Sequence, residues 1–480
     1  MSLPAGIMRN TKIVCTLGPA TNSVETIGAL LDAGTGVVRL NFSHGKHEQH
    51  AQTIECVRAA AKARKRLIPI IADLQGPKIR TGPIEGSPAL EAVSGHTLRL
   101  TTRPGGGAGS LSIDYPFLSE DVQPDDAILI DDGAIELRVV GIEGADVVTE
   151  VITGGTILPR KGVNIPGAAL QLPSLTGKDK RDLNFALSQR VDYVALSFVR
   201  SAEDVQALRD IVDQPGAHAD VIAKLEKPQA LDHLKEILDI SDGVMVARGD
   251  LGVELSPWQV PIEQKRIIDE ATRARKPVIT ATQMLQSMIE RPSPTRAEAS
   301  DVANAVFDGS DALMLSGETA IGRYPVESVQ MMARIIENAE ASIGEFSVRV
   351  AAIGVSHGDL SAAVAHSAAE LAADLGAKYI VVYSESGYTA RLVSKHRPKC
   401  PILGLSRHEH VCRKMKLLWG VRSKILPQVE DLDALVAATD VLMQQLGWVE
   451  RGDLICVVAG TPFHVPGKTD LIKLHHIAEN

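Results

Sequence analysis

The sequence predicts an α/β chain: a (β/α)8 barrel of the TIM type, with a small β-barrel lid domain inserted into it and an α/β regulatory domain at its C-terminal end. Three observations predict this. Eight short apolar, β-branched runs alternate with amphipathic stretches at start-to-start spacings of roughly 22 to 35 residues, the size of one βα unit. One interval breaks the series: the third and fourth runs start 124 residues apart. The pattern itself changes after about residue 345.

In order, the runs are TKIVCTLG (11–18), VVRLNFS (37–43), IPIIADLQ (68–75), DYVALSF (192–198), DVIAKLE (220–226), DGVMVARGD (242–250), PVITATQ (277–283) and ALMLSGE (312–318). Stretches such as HEQHAQTIECVRAAAKARK and SAEDVQALRDIV lie between them and carry helical periodicity. Continuously apolar strands alternating with helices imply a parallel sheet covered on both faces. An open doubly wound sheet satisfies that too, but eight units followed by a compositional break favour a closed barrel. The long interval contains LRLTT, AILIDDGAIELRVV and DVVTEVITG between glycine- and proline-rich turns, which reads as an inserted β domain acting as a lid. After the eighth unit, SAAVAHSAAELAADLG precedes the strands YIVVYS, PILGLS and LICVVAG. The expected divisions are 1–76 and 174–344 for the barrel, 77–173 for the lid and 345–480 for the C-terminal domain.

Bulk properties exclude several classes. Net charge is −9 over 480 residues, which opposes a general nucleic-acid binder, since that needs a basic face. Aromatics make up 3%, too few for base-stacking platforms. The five cysteines (15, 56, 400, 412 and 456) are odd in number and without CxxC spacing, which suggests neither a disulfide framework nor a zinc site and fits a reducing cytoplasm. There is no apolar run of membrane-spanning length, and the segment MSLPAGIMRN lacks a signal-peptide core. The expected location is cytoplasmic.

Barrel chemistry belongs at the C-terminal ends of the strands, and nearly every run ends in polar residues. The ends offer Arg39, Asn41, Ser43 and His44; Asp73, Lys78 and Arg80; Lys224 and Glu226; Arg248, Gly249 and Asp250; Thr282; Ser316 and Glu318. Glu226 and Asp250 close neighbouring strands. Two carboxylates so placed suit Mg²⁺, with water and substrate completing its octahedron; the alternative is that both are ion-paired, with Lys224 and Arg248. Arg39 and Lys224 suit a phosphoryl group, one as a planar fork and one as a point charge, although Arg39 also reads as a solvated strand-end cation. Gly249 permits close approach of backbone N–H groups to an anion or simply forms a turn. Thr282 and Ser316 are weak signals singly. The stretch DLQGPKIRTG (73–82) reads either as an active-site edge or as a solvated loop. Taken jointly, the strand ends imply a Mg²⁺ enzyme acting on a small phosphorylated, carboxylated substrate.

Along nearly its whole length the sequence resembles the pyruvate kinase family, in TKIVCTLGPAT, VVRLNFSHG, DLQGPKIRTG, KGVNIPG, AKLEKPQAL, MVARGDLGVE, ITATQML and SPTRAEASDVANAVFDGSDALMLSGETAIGRYP. The resemblance implies phosphoryl transfer from phosphoenolpyruvate to ADP, giving ATP and, after protonation of the enolate, pyruvate. By motif position, Glu226 and Asp250 would hold Mg²⁺ (or Mn²⁺), Lys224 would stabilise the transferring phosphoryl group, and Arg39 would grip it. The Gly249 and Asp250 amides with the Thr282 hydroxyl would hold the substrate carboxylate. Thr282, Ser316 and Glu318 would face the side on which the enolate is protonated. His44, Arg80, Lys161 and Asn164 would contact nucleotide. The family usually assembles as a homotetramer.

Lys78 departs from the pattern. Potassium-requiring relatives carry glutamate there and build a cation pocket from the counterparts of Asn41, Ser43, Asp73 and the carbonyl of Leu74. An ammonium at Lys78 would supply the missing charge and repel potassium, so the expectation is an Asp73–Lys78 substitute for a bound ion and no potassium requirement. In the C-terminal domain, SESGYT resembles a loop that holds the phosphate of a sugar-phosphate or AMP effector, through Ser384, Ser386, Gly387 and Thr389; a plain strand-to-helix turn is the other reading. Two further functions stay open at this point: a Mg²⁺ barrel lyase of enolpyruvate-like acids, which KLEKPQALDHL and DGVMVARGDLG also resemble, and a catalytically silent binding protein.

Overall fold

The computed structural model describes residues 9–84, 86–103, 106, 109–168, 170–216, 218–343, 354, 358–463, 465 and 467–478. The expected boundary at 344/345 lies outside them.

All eight runs form parallel strands of one closed barrel: β1 (Lys12–Leu17), β2 (Val37–Asn41), β3 (Ile70–Asp73), β4 (Tyr193–Leu196), β5 (Asp220–Leu225), β6 (Gly243–Ala247), β7 (Val278–Ala281) and β8 (Ala312–Leu315). The order around the ring follows the sequence, and pairing of Lys12 with Ala312 closes it. Alternate side chains fill the interior with Val14, Val37, Ile71, Ile222, Met245 and Ile279, while the opposite set packs beneath the helices, as a period of two requires. Helix starts carry their signals. Ser23, Thr176 and Thr295 each cap a helix by accepting the N–H three residues on.

The insertion after β3 forms a six-stranded sheet and a separate two-stranded ribbon around its own apolar core, which includes Leu100, Leu111, Ile128, Leu137 and Val147. The C-terminal domain has five strands, β9 (Tyr379–Tyr383), β10 (Ile402–Ser406), β11 (Val421–Ile425), β12 (Leu454–Ala459) and β13 (Leu471–His476). They are ordered β11-β10-β9-β12-β13, with only β13 antiparallel. No helix among the described residues is long and apolar enough to cross a membrane.

The floor of the barrel follows a repeated device. Asp192, Asp242 and Asp311, each just before a strand, accept the N–H of Ile70, Val221 and Val278 at the entry of an adjacent strand, at 2.9, 2.9 and 2.8 Å. The C-terminal domain then clamps Asp192 and Asp311 of this row and the neighbouring Asp220. Arg413 reaches Asp192 at 2.6 Å, Lys414 reaches Asp220 at 2.5 Å and Lys395 reaches the buried Asp311 at 2.5 Å. Leu417 from the same domain completes the barrel's interior cluster.

Candidate active site

The inward phase that buries Val14, Val37, Ile71, Ala195 and Ile222 brings Thr16, Arg39, Asp73, Ser197 and Lys224 to the same side two residues later. Together they cap the apolar interior with a buried polar layer at the C-terminal mouth. The Arg39 Nε donates to Asp73 Oδ2 at 2.6 Å and its other nitrogen to Thr16 Oγ1 at 3.0 Å. Lys224 Nζ lies 2.8 Å from Glu226 Oε1 and 3.3 Å from Asp73 Oδ1, and donates to Ser197 Oγ at 2.8 Å.

Burial disfavours charge on Asp73 and Lys224, yet their pairing outweighs it at both. Burial alone would depress Lys224, but Asp73 and then Glu226 raise its pKa above the ordinary lysine value. Burial alone would raise Asp73, but Arg39 and Lys224 hold it below the usual carboxylate range. Glu226 behaves differently: burial, reinforced by the nearby Asp250 carboxylate, raises it despite Lys224.

Glu226 Oε2 accepts the Phe198 N–H at 2.8 Å, whereas Oε1, buried beside the Lys224 ammonium, has no aligned hydrogen bond among the described residues. An under-used buried oxygen next to Asp250 fits a hard divalent cation. No cluster of three or more ligating side chains occurs among the described residues, so such an ion would take two carboxylates and depend on substrate and water for the rest. Asp250 sits in the helix Arg248–Glu254, which starts directly at the end of β6. The ion-paired alternative holds for Glu226 with Lys224 but not for Arg248. That guanidinium turns to Asp301 at 2.7 Å and to the Thr282 carbonyl at 2.7 Å.

Gly249 N–H donates to Thr282 Oγ1 at 2.7 Å. Thr282 adopts φ of +68°, a costly conformation for a β-branched residue and one that clusters at functional sites. Ser316 Oγ is buried without a partner among the described residues. Glu318 is fully buried, and its two oxygens take the Ser316 and Leu285 N–H groups at 2.8 and 3.0 Å. It therefore shapes the loop that carries Ser316.

The lid rests on this mouth. The cleft between them, lined in part by Lys78, Asn164, Phe198, Lys227 and Asp250, encloses about 30 Å³, against about 300 Å³ or more for a typical ligand pocket. Asn164 Nδ2 donates to Glu254 Oε1 at 2.9 Å, and Lys227 Nζ reaches the same oxygen at 2.6 Å. Lys161 is ion-paired with Asp131 inside the lid at 2.9 Å, and Arg80 donates to the Arg160 carbonyl at 2.8 Å. Burial, then the charges of Arg80, Lys78 and Arg39, depress the His44 imidazole, so the rim is cationic.

One expectation is corrected. Asp73 is paired with Arg39 and Lys224, not with Lys78, which makes no ion pair among the described residues. The Gly76-Pro77 turn, with Gly76 at φ +70°, carries Lys78 past the strand end and toward Gly162 of the lid. Two further atoms of the expected cation pocket have protein partners. Asn41 Oδ1 accepts the Ser43 N–H at 3.1 Å, and the Leu74 carbonyl accepts the Ser197 hydroxyl at 2.6 Å.

In the C-terminal domain, Ser384 Oγ accepts the Gly387 N–H at 3.0 Å, with Gly387 at φ +83°, and Ser386 Oγ lies 3.4 Å from the Tyr388 N. The Thr389 hydroxyl is buried against Thr469 at 2.6 Å. Sequence reasoning missed Thr16, Ser197, Lys227 and Glu254. The strand phase alone flags Thr16 and Ser197, whereas no local signal joins Lys227 to Glu254.

Comparison with known proteins agrees with this geometry. Residues 8–329 match the family model described as pyruvate kinase, barrel domain, and residues 362–475 match pyruvate kinase, alpha/beta domain. A pyruvate kinase from Mycobacterium tuberculosis is 44% identical over 477 residues, covering 98% of this chain and 99% of the relative. One from Sporosarcina psychrophila is 43% identical over 476 residues, covering 98% and 81%. A crystal structure of a pyruvate kinase from Cryptosporidium parvum superposes with a TM-score of 0.90 at 39% identity, covering 98% of this chain and 96% of that one.

Proposed function

The chain belongs to the pyruvate kinase family, and from that premise we propose that it transfers the phosphoryl group of phosphoenolpyruvate to ADP with Mg²⁺, without a potassium requirement and under control of a phosphorylated effector. As a member it is a phosphotransferase. The observation that carries the finer reading is Lys224 Nζ, held protonated at the mouth between Asp73 and Glu226.

In this reading Lys224 donates to the phosphoryl oxygens in flight, where positioned charge supplies most of the catalysis, and Arg39, braced by Asp73, grips the phosphate. Gly249 and Asp250 N–H groups and the Thr282 hydroxyl take the substrate carboxylate. Here the Gly249 N–H is closed onto Thr282 Oγ1 and the Thr282 hydroxyl onto the Ala281 carbonyl, so the carboxylate would displace both bonds on binding. Glu226 and Asp250 would hold Mg²⁺, which would supply positive charge to the transferring group. Ser316, its hydroxyl unspent, faces the enolate with Thr282, and Glu318 positions it. His44, Arg80, Lys161 and Asn164 belong to the nucleotide side once the lid opens.

Potassium independence rests on the partners already held by Asn41, Asp73 and Leu74 and on an ammonium at Lys78 in the cleft. The effector loop is Ser384–Thr389, whose serines and glycine form a small N–H-lined turn. A cytoplasmic homotetramer is the expected assembly, which light scattering of the purified chain checks.

The test is pyruvate formation from phosphoenolpyruvate and ADP with Mg²⁺ in potassium-free tetramethylammonium buffer, then with potassium added. Equal turnover in both carries the whole reading. Turnover only with potassium keeps the reaction and removes the role given to Lys78. No turnover in either, with sugar phosphates and AMP present, overturns the reading in favour of a silent binding protein. Activation curves with those effectors test the loop, and a flat response to all of them removes it.

A further inference from the structure

At the opposite end of the barrel from Lys224, a cavity of about 490 Å³ opens between the base of β4 and the helix Glu409–Met415 of the C-terminal domain. Its volume is that of a small-molecule site. Five basic side chains line it, Arg58, Arg190, His218, His410 and Arg413, against the carboxylates of Asp192 and Glu409.

Both carboxylates are consumed internally. Asp192 takes Arg413 Nε at 2.6 Å and the Ile70 N–H at 2.9 Å, with Arg58 at 3.6 Å. Glu409 takes the other face of Arg413 at 2.5 Å. What remains is donor capacity on Arg190 and His218 at the exposed edge of the cavity and on the half-buried His410. The Arg190 guanidinium has no ion pair among the described residues. The imidazoles of His218 and His410 stack at 4.5 Å and 17°, and their ring nitrogens have no hydrogen-bond partner among the described residues. Burial and then the surrounding charges, His218 foremost, push His410 down to about 4. Ile54 and Leu187 supply an apolar wall for the rest of a ligand.

We propose that this cavity is a binding site for a phosphate monoester, held by Arg190 and His218 of the barrel and by His410 and Arg413 of the C-terminal domain. A dianion with three terminal oxygens serves several separated donors at once, where a carboxylate has only two oxygens to share. The site is distinct from the Ser384–Thr389 loop. That loop borders a second cavity of about 500 Å³, and His410 is a wall common to both. A ligand here bridges the two domains beneath the barrel and so biases their relative placement.

The test uses the full chain and reads the rings themselves. Histidine side-chain NMR signals of His218 and His410, assigned from His218→Gln and His410→Gln, are followed at constant pH against inorganic phosphate and glucose 6-phosphate, with glucose as the neutral control. Both phosphates should move the two rings saturably toward the protonated form, and glucose should not. Arg190→Ala should weaken binding about tenfold, equivalent to about 1.4 kcal/mol, while turnover stays at the wild-type value. Rings that do not respond to either phosphate, or a titration unchanged by Arg190→Ala, overturn the proposal. The readout is independent of turnover, so it stands apart from the assignment of the reaction.

Discussion

Asn164 of the lid and Lys227 of the barrel meet on one oxygen, Glu254 Oε1, at 2.9 and 2.6 Å. The Lys227–Glu254 pair is almost fully enclosed, with side chains 8% and 1% exposed. Removing one member strands the other in a water-poor site, which costs roughly 3 kcal/mol or more. Glu254→Ala should therefore lower stability by about that amount in urea unfolding. Asn164→Ala should cost about 1 kcal/mol but raise the KM for ADP severalfold while leaving that for phosphoenolpyruvate near wild type. Equal changes in both KM values would count against a lid-specific role.

Lys224→Met removes the positioned ammonium and leaves Glu226 and Asp250 in place. Turnover should fall by about a thousandfold, the scale of deleting one well-placed transition-state donor. Binding of Mn²⁺, read by electron paramagnetic resonance, should stay within severalfold of wild type. Wild-type turnover in this variant would remove Lys224 from the mechanism.

On the proposed reading, Lys78→Glu should make turnover depend on potassium, because it puts a carboxylate in place of the ammonium that the cleft holds. The measurement is the ratio of rates with and without potassium. We expect about 1 for wild type and about 10 or more for the variant, a shift of at least 1.4 kcal/mol. A ratio unchanged by the substitution would break the link between Lys78 and the cation.

Asp73 sets an acid limit. Its folded pKa lies below the ordinary 3.8, because Arg39 and Lys224 outweigh burial. A depressed carboxylate contributes stability that is complete above the unfolded value and is lost as pH falls through the folded one. Asp73→Asn should thus be less stable than wild type by a constant margin of about 3 kcal/mol at neutral pH, and the margin should close only below the ordinary value of 3.8. Urea midpoints measured across that range check the sign. A margin that closed at neutral pH would contradict the pairing.

The barrel was legible because its strands are short, apolar and evenly spaced, and period-two alternation carries over directly into the polar layer of Arg39, Asp73 and Lys224. The end-of-strand rule located Glu226, Gly249, Asp250 and Thr282 for the same reason. Lys78 was harder. Sequence adjacency suggested a partner in Asp73, but the Gly76-Pro77 turn redirects the chain, and adjacency past a positive-φ glycine says little about direction. Lys227 lies just past the end of β5, but its meeting with Glu254 was invisible because Glu254 ends the short helix Arg248–Glu254 and the contact depends on how that helix packs. The two cavities under the barrel required the docking of a whole domain, which no local pattern encodes.

The row of aspartates on the barrel floor bears on folding autonomy. Asp192 and Asp311 are about 1% exposed and carry Arg413 and Lys395 as counter-charges, and Leu417 seals the interior from the same side. A chain cut after residue 343 would keep all eight strands yet lose the counter-charges at their entries. Such a fragment should aggregate or unfold, where an independent domain would stay soluble. The barrel that carries the catalytic mouth should therefore fold only as one unit with the C-terminal domain.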